Sequence, residues 1–250
     1  MLNIVMPMAG RGKRFADAGY SIPKPLIPIH GKPMTQVVLE NLRPTQKHQF
    51  IFIIQREHAS EFGFDKYLTG WAPGSKIIFV DQVTEGAACT VLLARELINN
   101  DSPLMIANCD QWVDIKIDDY LKTMESEKGD GLIMTMWADH PKWSYVRFDA
   151  NGDVQELVEK EVVSNEATVG IYNFRKGSDF TRSAEAMIAK NFRVNGEFYV
   201  APAYNEMISE GVKIAIHNVG KEYAGMYGLG TPQDLEWFIE NKISEKAVSF

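Results

Sequence analysis

Met8-Ala9-Gly10-Arg11-Gly12-Lys13-Arg14-Phe15 ends a short apolar run, Leu2 to Met8, and is followed by Pro23-Lys24-Pro25-Leu26. Glycines after a first strand let backbone N–H groups come close to a phosphate, and Arg11, Lys13, Arg14 and Lys24 gather four positive charges around one point. The whole chain carries 26 Lys and Arg against 33 Asp and Glu, a net charge of −7, so this cluster runs against the general balance. The chemistry it suits is the holding of a triphosphate by the segment Met8 to Lys13, with Arg14 and Lys24 near the phosphates. Two familiar phosphate loops fail on spacing: position 15 holds no third glycine for a dinucleotide fingerprint, and no G-x-x-x-x-G-K-[ST] occurs. The alternative is a solvated basic turn.

Leu104-Met105-Ile106-Ala107-Asn108-Cys109-Asp110 is an apolar run that ends in a carboxylate, at the edge where open α/β sheets bind ligands. Asp110 is a hard oxygen donor suited to Mg²⁺, an ion that keeps several waters and bridges to substrate phosphates; the competing role is a turn or cap residue. In Gln82-Val83-Thr84-Glu85-Gly86-Ala87-Ala88 a glycine would let backbone approach a flat base, and Gln82 offers both a donor and an acceptor. An ordinary strand-to-helix turn with Thr84 as N-cap is equally compatible. Trp137 to Tyr145 brings Trp143 and Tyr145 together, as packing or as aromatic walls of a pocket that could hold a sugar face or an amine. The five histidines, His58 and His140 among them, lack ligand-like spacing, which argues against zinc.

These groups need elements to carry them. Hydrophobic residues make up 45% and charged residues 24% of the 250, which excludes a disordered chain, and the acidic balance argues against nucleic acid or a polybasic membrane surface. Two cysteines, Cys89 and Cys109, do not make a disulfide framework, and no export signal or membrane span is read, so the expected compartment is cytoplasmic. Beyond a loop over residues 9–33, helices are predicted at 34–42, 57–68 and 87–98, between strands at 50–55, 76–80 and 103–107. That alternation is the pattern of a parallel sheet covered by helices. From about residue 130 strands at 131–137, 145–149, 154–159 and 168–174 add an antiparallel character, with Asn151-Gly152 as a hairpin signal. Helices follow at 178–190 and 203–210, a strand at 212–219, and a last helix from Pro232, with Thr231 as N-cap and Asp234 three residues on.

The ordered segments Met8 to Phe15, Pro23-Lys24-Pro25-Leu26 and Gly31-Lys32-Pro33-Met34 resemble the signature of the sugar-nucleotide pyrophosphorylases, a nucleotidyltransferase family. The resemblance continues along most of the chain and implies one three-layer α/β/α domain over 1–250, Rossmann-like and GT-A-like, with a mostly parallel sheet and added antiparallel strands. Within it residues 1–110 would serve the nucleotide, 111–230 the acceptor, and 231–250 a C-terminal helix. It implies that a phosphorylated acceptor attacks the α-phosphate of an NTP (CTP, UTP or dTTP) and pyrophosphate leaves with Mg²⁺ assistance. Arg14 would steady the pyrophosphate and Lys24 the α-phosphate. Gln82, Glu85, Gly86, Ala87 and Asn108 would join the loop at the nucleotide, and Asp110 would hold the metal. Val158-Glu159-Lys160 resembles an element whose lysine takes the acceptor phosphate. Gly170, Glu197 and Tyr199 lie in segments that resemble the rest of the acceptor site. The chain departs from the pattern where Gly228 stands in place of a second metal carboxylate, which leaves Glu197, waters or reduced activity as expectations.

The leading function is transfer to a sugar 1-phosphate for surface carbohydrate. The alternative is a cytidylyltransferase acting on a non-sugar phosphate, phosphonate or phosphoramidate. A glycosyltransferase would need a D-x-D motif where Asn108-Cys109-Asp110 stands, and a non-catalytic nucleotide-binding subunit would account for Gly228. Neither nucleic acid nor membrane is expected as a partner, and a homo-oligomer is left open.

Overall fold

Alternation within single strands decides the layering. In β1 (Leu2–Met8) of the computed structural model, which describes residues 1–250, Leu2, Ile4, Met6 and Met8 join one apolar cluster and Val5 joins another. β4 (His48–Gln55) divides likewise, with Phe50, Phe52 and Ile54 on one face and Ile51 and Ile53 on the other. Successive side chains of a strand point to opposite faces, so a strand apolar on both needs helices on both. The first face is covered by α2 (Met34–Asn41), α4 (Phe64–Trp71), α7 (Ile117–Ser126) and α10 (Pro232–Glu240). The second is covered by α5 (Ala87–Leu92), α6 (Arg95–Ile98), α8 (Gly177–Ala189) and α9 (Ala203–Ser209). Short helices α1 (Lys13–Asp17), α3 (Arg56–Phe62) and α11 (Ile243–Ala247), a single 3₁₀ turn over Lys24–Leu26 and a two-strand ribbon, β2 (Pro28–Ile29) with β3 (Lys32–Pro33), complete the set. No helix is long and apolar enough to cross a membrane.

The remaining strands are β5 (Lys76–Val80), β6 (Leu104–Ala107), β7 (Gln111–Val113), β8 (Gly131–Trp137), β9 (Ser144–Phe148), β10 (Val154–Glu159), β11 (Glu166–Phe174), β12 (Ile214–Glu222) and β13 (Gly225–Gly228). One sheet runs β5-β4-β1-β6-β11-β8-β12-β13-β7, with β9 and β10 hanging from β11. Along that path only β11 and β7 run against their neighbours, so the sheet is mostly parallel with added antiparallel strands. β6 and β7 stand five places apart, yet only Asn108-Cys109-Asp110 separates them in sequence. Five spacings of a flat sheet would be about 24 Å, whereas that connection reaches about 14 Å at most. The far edge must therefore curl back over the ends of β6 and β11, and this curl builds one wall of the site.

The expected helix over 57–68 is two, because Gly63 at φ 62° ends α3 and opens α4. That over 87–98 is also two, and Thr84 is not a cap: Gly86 precedes α5, while the Thr84 hydroxyl meets Thr90 and the Gly86 carbonyl. The β9–β10 hairpin forms, but through a wider turn than an Asn-Gly pair makes. Only Gly152 has positive φ, and the Asp149 carboxylate accepts from the amides of Asn151 and Asp153. Thr231 does cap α10, its hydroxyl accepting from the Asp234 amide at 3.1 Å.

Candidate active site

The C-terminal ends of β1, β4 and β6 open together, where open α/β sheets present their ligand sites. After β1 the chain turns at Gly12, φ 59°, where a Cβ would stand 3.3 Å from that of Lys24. Phe15, 1% exposed, pins the following α1 to the core and packs edge-on against Tyr20, which leaves Arg11, Lys13 and Arg14 exposed. Gln55, at the end of β4, donates through Nε2 to the Ala9 carbonyl at 2.7 Å and fixes the loop's entry. Met8, Gly10, Arg11, Gly12, Asn108 and Asp110 line a cavity of about 200 Å³.

Lys24 and Asp110 meet in this cavity, Nζ donating to Oδ2 at 2.7 Å, with side chains 18% and 28% exposed. Burial alone would lower the lysine and raise the carboxyl. The pairing reverses both, holding the Lys24 ammonium above its ordinary pKa and the Asp110 carboxyl below its own. Both are therefore charged at neutral pH. Burial pushes the neighbouring Cys109 thiol up to about 11, so it stays protonated and serves as a small core residue. Asp110 Oδ1 accepts from no other side chain, and no group of three or more His, Cys, Asp and Glu could cage a metal. A single carboxylate beside a phosphate loop fits an ion that keeps its waters and leans on substrate phosphates, as Mg²⁺ does.

A second cavity, about 340 Å³, shares Asn108 and Asp110 with the first and continues to Trp143, Lys160, Gly170 and Tyr199. Arg14 also lines it. A third, about 460 Å³, lies on the other side, shares Arg11, Gly12, Lys24 and His58 with the first, and includes Gln82. The three form one trough along the strand ends.

Not every expected residue joins it. Lys13 lines none of these cavities and points from α1 into solvent. Tyr145 is 0% exposed and its hydroxyl donates to the His140 carbonyl at 2.7 Å, so it is a core residue and not an acceptor wall. The pleat of β9 accounts for this, since Ser144 and Tyr145 face opposite sides and it is Ser144 that faces the trough. Glu197 sits exposed on the turn bridged by Val194 and lines none of these three cavities, so it is not placed to replace a carboxylate at Gly228. Glu85, Gly86 and Ala87 also lie outside the cavities. The glycine there admits protein, not a base: a Cβ on Gly86 would stand 2.4 Å from the Phe198 carbonyl oxygen. Gly170, φ 80°, does line the trough, and it is needed there because a Cβ would fall 2.2 Å from Asn108 Nδ2 and 2.7 Å from Gln111 Nε2.

Other trough residues were not anticipated. Gln111, 7% exposed, leaves its Nε2 without a partner, and its place directly after Asp110 was the one signal in the sequence. Lys142 pairs with Glu222 at 2.7 Å and stands 4.7 Å from the Trp143 ring centroid. Asp234, expected only as part of a helix start, also accepts from Tyr223 at 2.8 Å and lies 3.8 Å from where a Gly228 Cβ would be. Those last contacts depend on the curled edge and carry no local sequence signal.

Against known proteins, the family model described as nucleotidyl transferase matches residues 3–192. The mannose-1-phosphate guanylyltransferase catalytic subunit beta of Dictyostelium discoideum is 28% identical over 174 residues, 67% of this chain and 48% of that protein. The bifunctional protein GlmU of Cupriavidus metallidurans is 24% identical over 222 residues, 85% of this chain and 46% of that one. The chain thus spans about half the length of the curated relatives it matches. Among solved structures, a nucleoside-diphosphate-sugar pyrophosphorylase from Vibrio cholerae RC9 shares the fold with a TM-score of 0.81 at 24% identity, covering 95% of this chain and 100% of that chain. The inositol-1-phosphate CTP transferase from T. maritima does so with 0.75 at 13% identity, covering 99% and 96%. With the basic glycine loop, the strand-end carboxylate and a family match over most of its length, the chain belongs to the nucleotidyl transferase family.

Proposed function

We propose that the protein transfers a nucleoside monophosphate from an NTP to a phosphorylated acceptor, probed first as a sugar 1-phosphate, and releases pyrophosphate. The observation that carries this is the Lys24–Asp110 pair, which stands where the phosphate-loop cavity and the Trp143–Tyr199 cavity meet. In this reading the backbone around Gly10 and Gly12 and the side chain of Arg11 hold the triphosphate. Lys24 faces the α-phosphate and offsets the negative charge that grows there, and Arg14, in the first turn of α1 beside that loop, steadies the departing pyrophosphate. Asp110 would hold Mg²⁺, which supplies charge neutralisation across the phosphates when bound. Lys160 receives the acceptor phosphate, and Trp143 and Tyr199 flank the remainder of that molecule. Gln82 is placed in the third cavity with its amide available to a base.

The sugar phosphate is supported by the names of the relatives. A second reading, a non-sugar acceptor bearing a positive charge and a CTP donor, is supported by the Asp234 carboxylate, which lines the same cavity as Trp143. The test incubates the protein with each of ATP, GTP, CTP, UTP and dTTP, with Mg²⁺ and a panel of sugar 1-phosphates and of amine-bearing phosphates, and monitors pyrophosphate. Release with one NTP and one acceptor class supports the reading and chooses between its two forms. No release with any combination would remove it.

A further inference from the structure

Two segments that belong to different halves of the trough are tied together on the side facing α5. The Phe198 amide donates to the Glu85 carbonyl at 2.9 Å, and the Ala88 amide donates to the Phe198 carbonyl at 3.0 Å. Between these bonds Gly86, φ 136°, lets the two backbones touch, closer than any Cβ would allow. Arg193 spans the junction. Its guanidinium pairs with the Glu85 carboxylate, lies 4.1 Å from the centroid of the Phe198 ring, and donates to Asn191 Oδ1 at 2.7 Å and to the Gly196 carbonyl at 3.2 Å. Phe198 is 1% exposed, with Ala88 and Met187 as core neighbours, so it cannot move without opening that packing. Tyr199, the next residue, faces the trough, where the Lys160 ammonium lies 5.5 Å from its ring centroid.

An exposed ion pair alone contributes little. This one has a planar guanidinium held at four points, two to its own turn, one to Glu85 and one to an aromatic face, so its geometry is preorganised. We propose that Arg193 is a positioning residue. It clasps the segment that follows Gln82 to the segment that presents Tyr199, so that a nucleotide seated at Gln82 sets the acceptor wall before the acceptor arrives. The inference rests on the assignment of Gln82 to the nucleotide and Tyr199 to the acceptor. It predicts that the acceptor segment responds to nucleotide alone.

The Phe198 amide is the reporter, since its hydrogen bond is part of the clasp. The full chain is titrated by calorimetry with CTP, UTP, dTTP, ATP and GTP in turn, and amide hydrogen exchange is followed on the same samples with Mg²⁺ and no acceptor. The triphosphate that binds is expected to slow exchange at Phe198 by about fivefold or more, the lower end of ordinary coupling between sites. In Arg193→Ala the calorimetric binding remains and the slowing is lost, and Arg193→Lys, which keeps the charge without the planar fork, restores part of it. Glu85→Gln gives the same loss from the other side and serves if Arg193→Ala does not fold. Nucleotide binding with unchanged exchange at Phe198, or full slowing retained in both Arg193→Ala and Glu85→Gln, overturns the clasp and leaves the proposed function standing. Absence of binding by every triphosphate overturns both.

Discussion

Lys24 and Asp110 lie 86 residues apart in sequence and 2.7 Å apart in space, and each is held in its charged form by the other. The sign of their pH dependence follows. Asp110, with its pKa depressed, contributes stability above the ordinary carboxyl range that is lost as pH falls through its folded value. Lys24, with its pKa raised, contributes stability below the ordinary lysine range that is lost as pH rises through its folded value. Lys24→Met should therefore cost about 1–3 kcal/mol at pH 7, less than the 3–5 kcal/mol of a fully buried pair because both groups are partly exposed. The deficit should shrink as the carboxyl is protonated at low pH. Urea denaturation of wild type and variant from pH 3 to 8 measures it, and a deficit independent of pH would show that the pair is not its origin.

For catalysis, Arg14→Ala and Lys24→Ala should each lower kcat by about 10²–10³, the usual effect of removing one preorganised electrostatic contact. Asp110→Asn should remove most of the Mg²⁺ dependence while the protein still unfolds cooperatively. Metal titrations of turnover distinguish the cases, and an unaltered metal dependence in Asp110→Asn would move the ion elsewhere.

Gly170→Ala places a methyl where the Asn108 and Gln111 amides now sit and asks alanine to adopt φ 80°. Overpacking and left-handed backbone together should cost about 1–3 kcal/mol and lower turnover, since Asn108 adjoins Asp110. Thermal unfolding checks the first part. A variant as stable as wild type would mean that the amides shift freely.

The two aromatics of the Trp143–Tyr145 segment should part company. Tyr145→Ala, in the core, should lose about 3–5 kcal/mol of stability. Trp143→Ala should instead raise the acceptor KM with little change in the NTP KM, because binding energy is withdrawn from one substrate only. Steady-state kinetics against each substrate, with a melting curve for each variant, compares them. Equal changes in both KM values for Trp143→Ala would return it to packing.

Glu159 is buried, accepts from the Ser144 hydroxyl at 2.6 Å through one oxygen, and has no partner for the other. Burial raises its carboxyl pKa, against the opposing effect of Ser144 and the Lys160 charge. An acid with a raised folded pKa costs stability as pH rises from the ordinary carboxyl range through that folded value. Glu159→Gln should thus remove that fall in stability with rising pH and unfold at a higher temperature than wild type near pH 7. A lower melting temperature at every pH would contradict this.

The parts of the site that were legible in the sequence are those whose signal is local. The loop after β1, Lys24 and Asp110 each follow an apolar strand or a proline, and Gly10, Arg11, Gly12, Lys24 and Asp110 line one cavity with Arg14 in the adjoining one. What escaped depends on pairing between distant segments. Gln111 reaches the trough because β7 pairs with β13, and Asp234 because the curled edge brings α10 beside Gly228. Tyr145 was misplaced because it was grouped with Trp143, which lies just before β9 and lines the trough, whereas Tyr145 lies within β9 and turns into the core. Gly86 was read as space for a ligand, and the space belongs to Phe198. Helix lengths were overestimated where a single residue, Gly63 in its left-handed conformation, breaks an otherwise continuous periodicity.

The pairing of β7 with β13 also orders events during synthesis. The two residues of the central ion pair leave the ribosome early, and by residue 110 strands β1, β4, β5 and β6 can already associate. The Asp110 carbonyl, however, accepts from the Leu229 amide at 2.7 Å, and the three residues after it have β13 as their one strand partner, with only Val113 also tied to the Asn41 side chain on α2. Closing a loop of more than one hundred residues carries a chain-entropy cost that local contacts do not repay, and such non-local pairing is slow. A nascent chain halted before residue 225 is thus expected to hold the phosphate loop on a folded half-sheet while the strand after Asp110 lacks its sheet partner, so the site becomes complete only once β13 has been made.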